Sequence, residues 1–509
     1  MASNGANTAC WQASRRRFLY KDNIPLAAKL IRKCMPNCGV CQRRGLRPCV
    51  KPFRQPLLYI LLTIAAATRS QPTKAQQADS TYNRVKTGWT LGALPVIAYD
   101  SDLGVEYGGL VNFYYYGDGK TYPNYHQSLY AEVTHYTKGN DIKRLFFDSP
   151  NLLPGIRLTS DMSYSVNRAT DFFGFNGEEA VYKRNWTTDA TGNPDYKTRA
   201  FYEYCRKISY FSTDIQGDIA GPILRWAAGI SLFNFTTGPV NPHHLNENSN
   251  GSSHQPPIPT LYDRYVEWGI IKGDEKHGGF NTYARVGAIY DTRDNEANPQ
   301  HGICSKFILN IALPELGNEQ YEHINLSITH EQYFTLIRNM LTFAYRLALQ
   351  TKLMGHIPFY LKPNLATLYL RKPSFEGLGG AQTLRGILRN RIVGDGVAYG
   401  KFELRWKAIR TIIWRQNVYI ALSAFTDMGQ VIQKVVFNRE NAIRIATQQD
   451  PTFKASNFFA DTNDHLHVSY GCGLHIALNE NFIFGMDYGR ATSPQDGRQG
   501  IYSTMSFLF

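Results

Sequence analysis

The chain has 509 residues, of which 13% are aromatic and only 19% charged, with 42 glycines and 32 tyrosines. This length would suit roughly two to four soluble domains, but the composition favours many short strands joined by turns. The formal net charge is +14, and residues 1–75 carry nearly all of it, since they hold 14 Lys and Arg against the single acid Asp22. The remainder is close to neutral, which gives no electrostatic case for nucleic-acid binding.

Residues 1–78 are interpreted as a basic leader that contains a secretory signal peptide. Residues 57–67, LLYILLTIAAA, form an apolar run that follows a cluster of Lys and Arg. The run is too short to cross a bilayer as a helix and is typical of a signal-peptide core. Small residues for cleavage follow, which predicts a mature start between residues 68 and 79. An upstream start-site error is favoured over a true domain in residues 1–50, and an organellar presequence is a weaker option.

Five of the eight cysteines lie in this leader. The spacing Cys34-x3-Cys38-x2-Cys41 could hold a metal ion, but a discarded segment is the favoured interpretation. The cysteines of the mature chain are isolated and odd in number, which argues against a disulfide framework. They are Cys205, Cys304 and Cys472.

Residues 79–509 are predicted to form one all-β domain. No apolar run after residue 67 reaches 18 residues, so helical membrane spans are excluded. Alternation with a period of two residues recurs instead, which predicts a transmembrane antiparallel β-barrel of about 16 strands. The predicted strands are 89–98, 103–116, 124–137, 141–149, 156–167, 202–215, 219–234, 279–291, 303–313, 322–333, 340–352, 397–408, 416–427, 465–477, 482–489 and 500–509.

The lengths of the connections support this count. Connections from even to odd strands are short, such as Asp214–Asp218 and Asn479–Asn481. Long loops on one face and short turns on the other are typical of outer-membrane barrels, so we expect extracellular long loops and both termini in the periplasm. The long connections, from odd to even strands, are 168–201, 235–278, 353–396 and 428–464.

Four histidines lie in the connection 235–278, among Asn, Ser and Pro residues. They have no fixed spacing, so a solvated loop is favoured over a surface metal site. No metal ion is expected in the mature chain. The four are His243, His244, His254 and His277.

The first distinctive motif is YDTRDNEANPQHG, which covers residues 290–302 between strands 8 and 9. Its charged residues Asp291, Arg293 and Asp294 run into a turn that Pro299 and Gly302 can shape. We interpret the motif as a staple of a periplasmic turn rather than as a contact with substrate.

Three further motifs lie close in the predicted topology. They are GLGGAQTLRGILRNRIVGDG (377–396) in a long loop, FELRW (402–406) on strand 12 and FTDMGQV (425–431) at the end of strand 13. Alternation in FELRW directs Glu403 toward the lumen. The guanidinium of Arg385, folded into the lumen, could bridge Glu403 and Asp427, with a solvated loop arginine as the alternative.

Together the four segments resemble the barrel of the BamA/TamA-type assembly proteins, the bacterial surface antigen superfamily, which includes the two-partner secretion translocators. The resemblance covers residues from about 88 to 509, and its specific parts are the Asp-Thr-Arg-Asp turn and Leu384-Arg385-Gly386-Ile387. Ile387 stands where the family pattern has an aromatic residue. The resemblance implies a loop-to-barrel lock in which Arg385, next to Gly386, docks on Glu403 and Asp427.

The C-terminal residues Met505, Phe507 and Phe509 look like the β-signal that assembly machinery reads on most outer-membrane barrels. Family members usually carry periplasmic polypeptide-transport-associated domains before the barrel. The segment between the predicted signal peptide and Trp89 is too short for one, so we expect none here.

The leading hypothesis is a barrel in the bacterial outer membrane that assists insertion or translocation of proteins through a lateral seam between its first and last strands. Its expected partners are outer-membrane lipid, unfolded outer-membrane clients and accessory lipoproteins or chaperones. A passive or loop-plugged channel is the alternative. An enzyme built on His465, His467 and Ser469 is disfavoured, because alternate strand residues lie about 7 Å apart, too far for a Ser–His hydrogen bond. No cofactor is expected.

Overall fold

The computed structural model describes residues 87–120, 125–189, 192–241, 258–296, 298–318, 320–365, 375–413, 416–478 and 482–505. Contacts separate Met1–Asp79 from Ser80–Phe509, and only the second unit is described here. Within these ranges no helix is both long and apolar enough to cross a membrane. The expected leader with its core at 57–67, the Cys34–Cys41 cluster, three loop histidines and the terminal Phe507 and Phe509 lie outside the described residues.

Sixteen antiparallel strands close into one barrel, in which each strand pairs with its neighbours in sequence and β1 pairs with β16. The predicted fold class is confirmed. The strands are β1 (Trp89–Asp100), β2 (Gly104–Tyr115), β3 (Gln127–Tyr136), β4 (Asn140–Leu153), β5 (Ile156–Asp171), β6 (Glu203–Ala220), β7 (Leu224–Gly238), β8 (Gly278–Asp291), β9 (Gly302–Ala312), β10 (His323–Ile337), β11 (Leu341–Gly355), β12 (Gly396–Ile413), β13 (Gln416–Gln433), β14 (His467–Leu478), β15 (Phe482–Ala491) and β16 (Gln499–Met505).

One predicted turn is wrong. Residues Asp214–Asp218 lie inside β6, which continues to Ala220, and the chain turns at Gly221 with a φ of +61°. Asp214, at the start of the predicted connection, instead lies inside the barrel, where its carboxylate accepts a hydrogen bond of 2.7 Å from Arg285 Nη2 on β8. An acid in the lumen and an acid in a turn look alike in sequence.

The two ends of the barrel differ in their connections. We call the end where β1 begins the turn end, because the connections there are short, and the opposite end the loop end. Two short helices, α1 (Leu261–Glu267) and α2 (Arg439–Gln449), lie in the loops. The long connections all lie at the loop end, as the predicted parity requires: the β5–β6 loop (172–202), the β7–β8 loop (239–277), the β11–β12 loop (356–395) and the β13–β14 loop (434–466).

These four loops pack into one apolar cluster, which we call the cap. Trp268 of the β7–β8 loop meets Phe458 of the β13–β14 loop edge to face, with ring centroids 5.1 Å apart. The cluster continues onto Tyr210 and Phe233, lumen-facing aromatic residues of β6 and β7. Since loop side chains pack against lumen side chains, the loops fold inward over the mouth of the barrel. Aromatic pairs of this kind stabilise beyond their buried area.

Candidate functional site

The tip of the β11–β12 loop folds into the lumen as a compact hairpin. Leu378 and Ile392 pair across it through backbone hydrogen bonds, and the Thr383 hydroxyl accepts the N–H of Gly379 at 2.8 Å. Gly379 has a φ of +116°, a conformation that L side chains rarely adopt. Leu384 and Ile387 are buried in a small apolar core with Val431 of β13. Ile387, the aliphatic residue at this position, is therefore packed among apolar side chains.

Arg385 leaves this hairpin toward the barrel wall. Its Nε and Nη2 donate to the two carboxylate oxygens of Asp427 on β13, at 2.9 and 3.0 Å. Its Nη1 donates to Glu403 Oε2 on β12 at 2.8 Å and to Asp487 Oδ2 on β15 at 3.2 Å. The guanidinium carbon lies 3.4 Å from the centre of the Phe425 ring, a cation–π contact. The structure therefore brings together the three residues proposed from the sequence.

We call Arg385, Glu403, Asp427 and Asp487 the loop lock. All four side chains are at most 1% exposed. Buried charges are tolerated only when they are paired and hydrogen-bonded, so removing one partner would leave another uncompensated, at a cost of about 3–5 kcal/mol. The network continues to Arg405, whose Nε donates to Glu403 Oε1 at 2.9 Å.

Sequence reasoning missed Asp487. Alternation along strand 15 places Met486 and Tyr488 toward lipid, and so could have placed Asp487 in the lumen. The pattern along one strand cannot show which loop residue an inward carboxylate contacts. The distance between the two is set by closure of the barrel.

The motif between β8 and β9 forms a tight, self-paired turn. Arg293 donates to both carboxylate oxygens of Asp291, at 2.9 and 2.8 Å. Asp294 accepts the backbone N–H of Gln300 at 2.9 Å. Gly302 has a φ of +105°, and Pro299 is buried. Asp291 also lies 3.6 Å from Arg225 and Arg293 lies 3.7 Å from Glu331, so the motif pairs with neighbouring strands as well as with itself. The role of the motif as a staple stays a prediction.

The turn also reaches across the barrel, which the sequence did not predict. We call the described residues 292–296 and 298–301 the strap. Glu296 accepts a hydrogen bond of 3.0 Å from Arg157 on β5, and Asn298 donates one of 2.8 Å to the Tyr419 hydroxyl on β13. Between β5 and β13 lie β6–β12 in one direction and β14–β4 in the other, so these strands face each other across the lumen. The strap therefore spans the mouth at the turn end. Glu296 and Asn298 lie inside the motif 290–302, but the motif does not encode which distant strands they contact.

Residues 243–509 match the model of the Omp85 superfamily domain, which is more than half of the chain. The chain belongs to the Omp85 superfamily. The resemblance inferred from the four motifs is confirmed, and the protein is an outer-membrane β-barrel. No curated protein sequence matches the chain.

Several solved structures are similar to this chain at low sequence identity. BamA from Haemophilus ducreyi lacking POTRA domains 1–3 is 13% identical, with 83% of this chain and 70% of that chain covered and a TM-score of 0.46. CdiB from Escherichia coli is 8% identical, with 84% and 69% covered and a TM-score of 0.47. CdiB from Acinetobacter baumannii is 10% identical, with 83% and 60% covered and a TM-score of 0.41.

The enzyme alternative finds no support at the residues weighed for it in this Omp85 barrel. His467 Nδ1 is 2.7 Å from Asp496 Oδ1, and its Nε2 is 2.8 Å from Asp464 Oδ1. His465 bonds to Glu178 at 2.7 Å. Both nitrogens of His467 are thus engaged by carboxylates, which leaves neither to take a proton from Ser469.

The same region contains ligand-type side chains close together. Glu178, His467 and Asp496 each offer one atom within 4.8 Å of the others. His467 and Asp496 are hydrogen-bonded to each other, and the Arg391 guanidinium lies 3.8 Å from Asp496 Oδ1, where it would repel a cation. Of the loop histidines weighed as a metal site, the described one, His277, is exposed.

The C-terminal β-signal is described only at its start. Met505 is the last residue of β16 for which the structure gives a backbone position, whereas Phe507 and Phe509 lie outside the described residues. The β-signal therefore stays a prediction.

Proposed function

We propose that this Omp85 barrel assists insertion or translocation of proteins at the bacterial outer membrane through the seam between β1 and β16. In this proposal the turn end and both termini face the periplasm, and the long loops face outward. The clients are unfolded outer-membrane proteins, delivered by lipoproteins or chaperones. The loop lock holds the barrel in its resting form, and no covalent chemistry is required.

The seam between β1 and β16 supports the proposal, because the two edges of β1 are unequally paired. Every residue of β1 has a partner on β2. Toward the described part of β16, only Asp100 has a registered partner, Tyr502. The neighbouring Ser101 and Ile501 add hydrogen bonds of 2.8–3.2 Å at the loop end. Each such bond contributes about 1 kcal/mol net, so separating them costs only a few kcal/mol.

Pro95 supports the same conclusion. The N–H of Tyr99 bonds to Ser503 Oγ on β16 at 3.2 Å, and that of Ser101 to the Ile501 carbonyl. N–H groups of alternate residues point to the same side of a strand, so the nitrogen of Pro95 faces the seam. Proline has no N–H and is confined to strand edges. β1 is therefore built as an edge along this side.

An edge of this kind presents backbone groups that an incoming strand can pair with. A client strand could add to β1 by β-augmentation, with the membrane on one side and the lumen on the other. The exposed apolar side chains of β1, including Leu91 and Ile97, would contact lipid during this step.

A disulfide across the seam tests the proposal. Tyr99→Cys with Ser503→Cys, in a background where the three mature cysteines are alanine, should stop insertion of a reporter barrel into liposomes when oxidised. Reduction should restore it. The matched control is Leu404→Cys with Ala424→Cys, a pair in register on β12 and β13, which should leave insertion unchanged. Full activity of the oxidised seam variant would refute the seam mechanism.

A second candidate is a plugged channel without assembly activity. The observation that favours it is that the cap packs over the loop end of the lumen and the strap crosses the turn end. Planar-bilayer recording separates the two. A steady conductance that clients do not alter, together with no insertion by the reduced seam variant, would favour the channel.

A further inference from the structure

The loop lock lies beside the hairpin formed by β15 and β16. Gly489 and Gly500 are cross-strand partners there, as are Asp487 and Tyr502. A Cβ on Gly489 would come within 2.6 Å of the carbonyl carbon of Arg385, so a larger residue would displace the loop tip. We call the pair Gly489–Gly500 the saddle, because the absence of side chains there admits the loop backbone.

The loop tip meets the saddle at Gly386. Gly386 has a φ of +92°, and a Cβ there would overlap the backbone of Gly489. Its N–H donates to the Tyr502 hydroxyl at 3.1 Å. A buried backbone N–H needs a partner, and here a β16 side chain supplies it. A Cβ on Gly500 would overlap that hydroxyl, so the saddle also makes room for Tyr502.

Tyr502 has a second role in the same place. It is the described β16 residue that stands in register with β1, opposite Asp100. Its side chain is 1% exposed and points into the barrel, whereas its backbone lies at the seam. One residue therefore contacts Gly386, next to Arg385 of the loop lock, with its side chain and the seam with its main chain.

We propose that Tyr502 is a positioning residue that couples the loop lock to the seam. While Arg385 is held by Asp427, Glu403 and Asp487, Gly386 stays on the Tyr502 hydroxyl and holds β16 in register with β1. Withdrawal of the loop tip removes that hydrogen bond and loosens β16 where the seam is paired. The biological use of this coupling rests on the proposed function. The contacts that support it are those of the barrel without a client.

The test is hydrogen exchange of the purified full-length barrel in nanodiscs, without any client. Tyr502→Phe removes only the hydroxyl, and should speed exchange of amides in 499–505 and near Asp100 by about fivefold, as the loss of one net hydrogen bond predicts. The matched control is Tyr488→Phe on the same hairpin, whose hydroxyl donates to Gln499 at 2.9 Å on the outer face. It should leave exchange near Asp100 unchanged.

A double-mutant cycle shows whether the effect passes through the loop. Asp427→Asn weakens the lock without touching β16, and adding Tyr502→Phe to it should raise seam exchange by less than the two separate effects combined. Equal exchange in the two Tyr→Phe variants, or strict additivity with Asp427→Asn, would overturn the coupling. No client is present in the exchange experiment, so its outcome does not depend on insertion activity. Failure of liposome insertion would refute the proposed function and leave the coupling intact, and failure of the exchange test would refute the coupling alone.

Discussion

Two pairs of neighbouring strands in this barrel are built in opposite ways. β12 and β13 are each 18 residues long, pair along their whole length apart from two bulges, and carry two carboxylates that grip Arg385. β1 and β16 share one registered pair among the described residues, and β1 has proline at the edge between them. Among the described residues, closure of the barrel is therefore unevenly paired. In our proposal the sparsely paired β1–β16 joint is supported from inside by a loop that is anchored on β12 and β13.

The largest expected effect comes from replacing Arg385, which the carboxylates of β12 and β13 bind. Arg385→Ala should lower the free energy of unfolding by about 3–5 kcal/mol, because the buried carboxylates of Asp427 and Asp487 would lose this guanidinium, and Glu403 would keep only its bond from Arg405. Urea unfolding in detergent micelles measures this. Arg444→Ala, an exposed arginine on α2, is the matched control and should change the free energy by less than about 0.5 kcal/mol. A similar loss of unfolding free energy in both variants would show that the loop lock does not contribute specifically to stability.

Acid should loosen the loop end before it affects the strands. Burial raises the pKa of Asp464 in the β13–β14 loop, but hydrogen bonds from His467 and from the N–H groups of Glu178 and Val431 outweigh it and lower that pKa. A carboxyl with a lowered pKa in the folded state stabilises above its ordinary value and loses this contribution as pH falls through the lowered value. Fluorescence of Trp268 in the cap should therefore change below about pH 4.

Asp464→Asn serves as the control for the acid transition. The amide cannot titrate, so the transition should shrink and the loops should be looser already at neutral pH. The expected loss at pH 7 is about 1–3 kcal/mol, the cost of charge-assisted hydrogen bonds. An unchanged acid transition in this variant would assign it to another group.

The strap offers a smaller perturbation at the turn end. Glu296→Gln should weaken the link to Arg157 by about 1 kcal/mol or less, because the Glu296 side chain is 49% exposed and solvent screens the pair. Single-channel conductance should rise if the strap narrows the mouth. Glu315→Gln, which removes an acid from the turn between β9 and β10, should leave conductance unchanged.

The smallest expected effect is at the edge of the weak pair. Pro95→Ala restores an N–H that faces the seam and should strengthen closure by under about 1 kcal/mol. Slower hydrogen exchange in β16 would show it, and client insertion should slow in parallel. Faster hydrogen exchange in β16 would mean that Pro95 stabilises the seam by stiffening β1, rather than weakening it through its missing N–H.

Much of the fold could be predicted from the sequence, because a barrel strand has a local pattern of alternating side chains. Alternation located sixteen strands, and loop lengths gave their direction, although strand 13 was predicted to end at 427 and continues to Gln433. Its extra residues pair with the first residues of β12 across a bulge. The cap was missed because its aromatic residues come from four loops whose proximity no short pattern encodes.

The same limit applies to the candidate site. Arg385, Glu403 and Asp427 were found because their motifs are distinctive and two lie on neighbouring strands. Asp487 and Tyr502 carry no motif, and they approach the loop tip only because the sheet closes on itself. The link from Glu296 to Arg157 spans 139 positions in the chain and crosses the barrel. Long-range geometry, rather than residue type, separates what was predicted from what was not.

The saddle has one more consequence. Glycine weakens a strand, since it brings no side chain to the cross-strand contacts and leaves the backbone free to bend. Gly489 and Gly500 place two such residues opposite each other on the last hairpin. The place that admits the loop tip is thus also a point of the hairpin without cross-strand side-chain contact. We therefore expect bending of the hairpin, once the loop tip withdraws, to begin at this glycine pair.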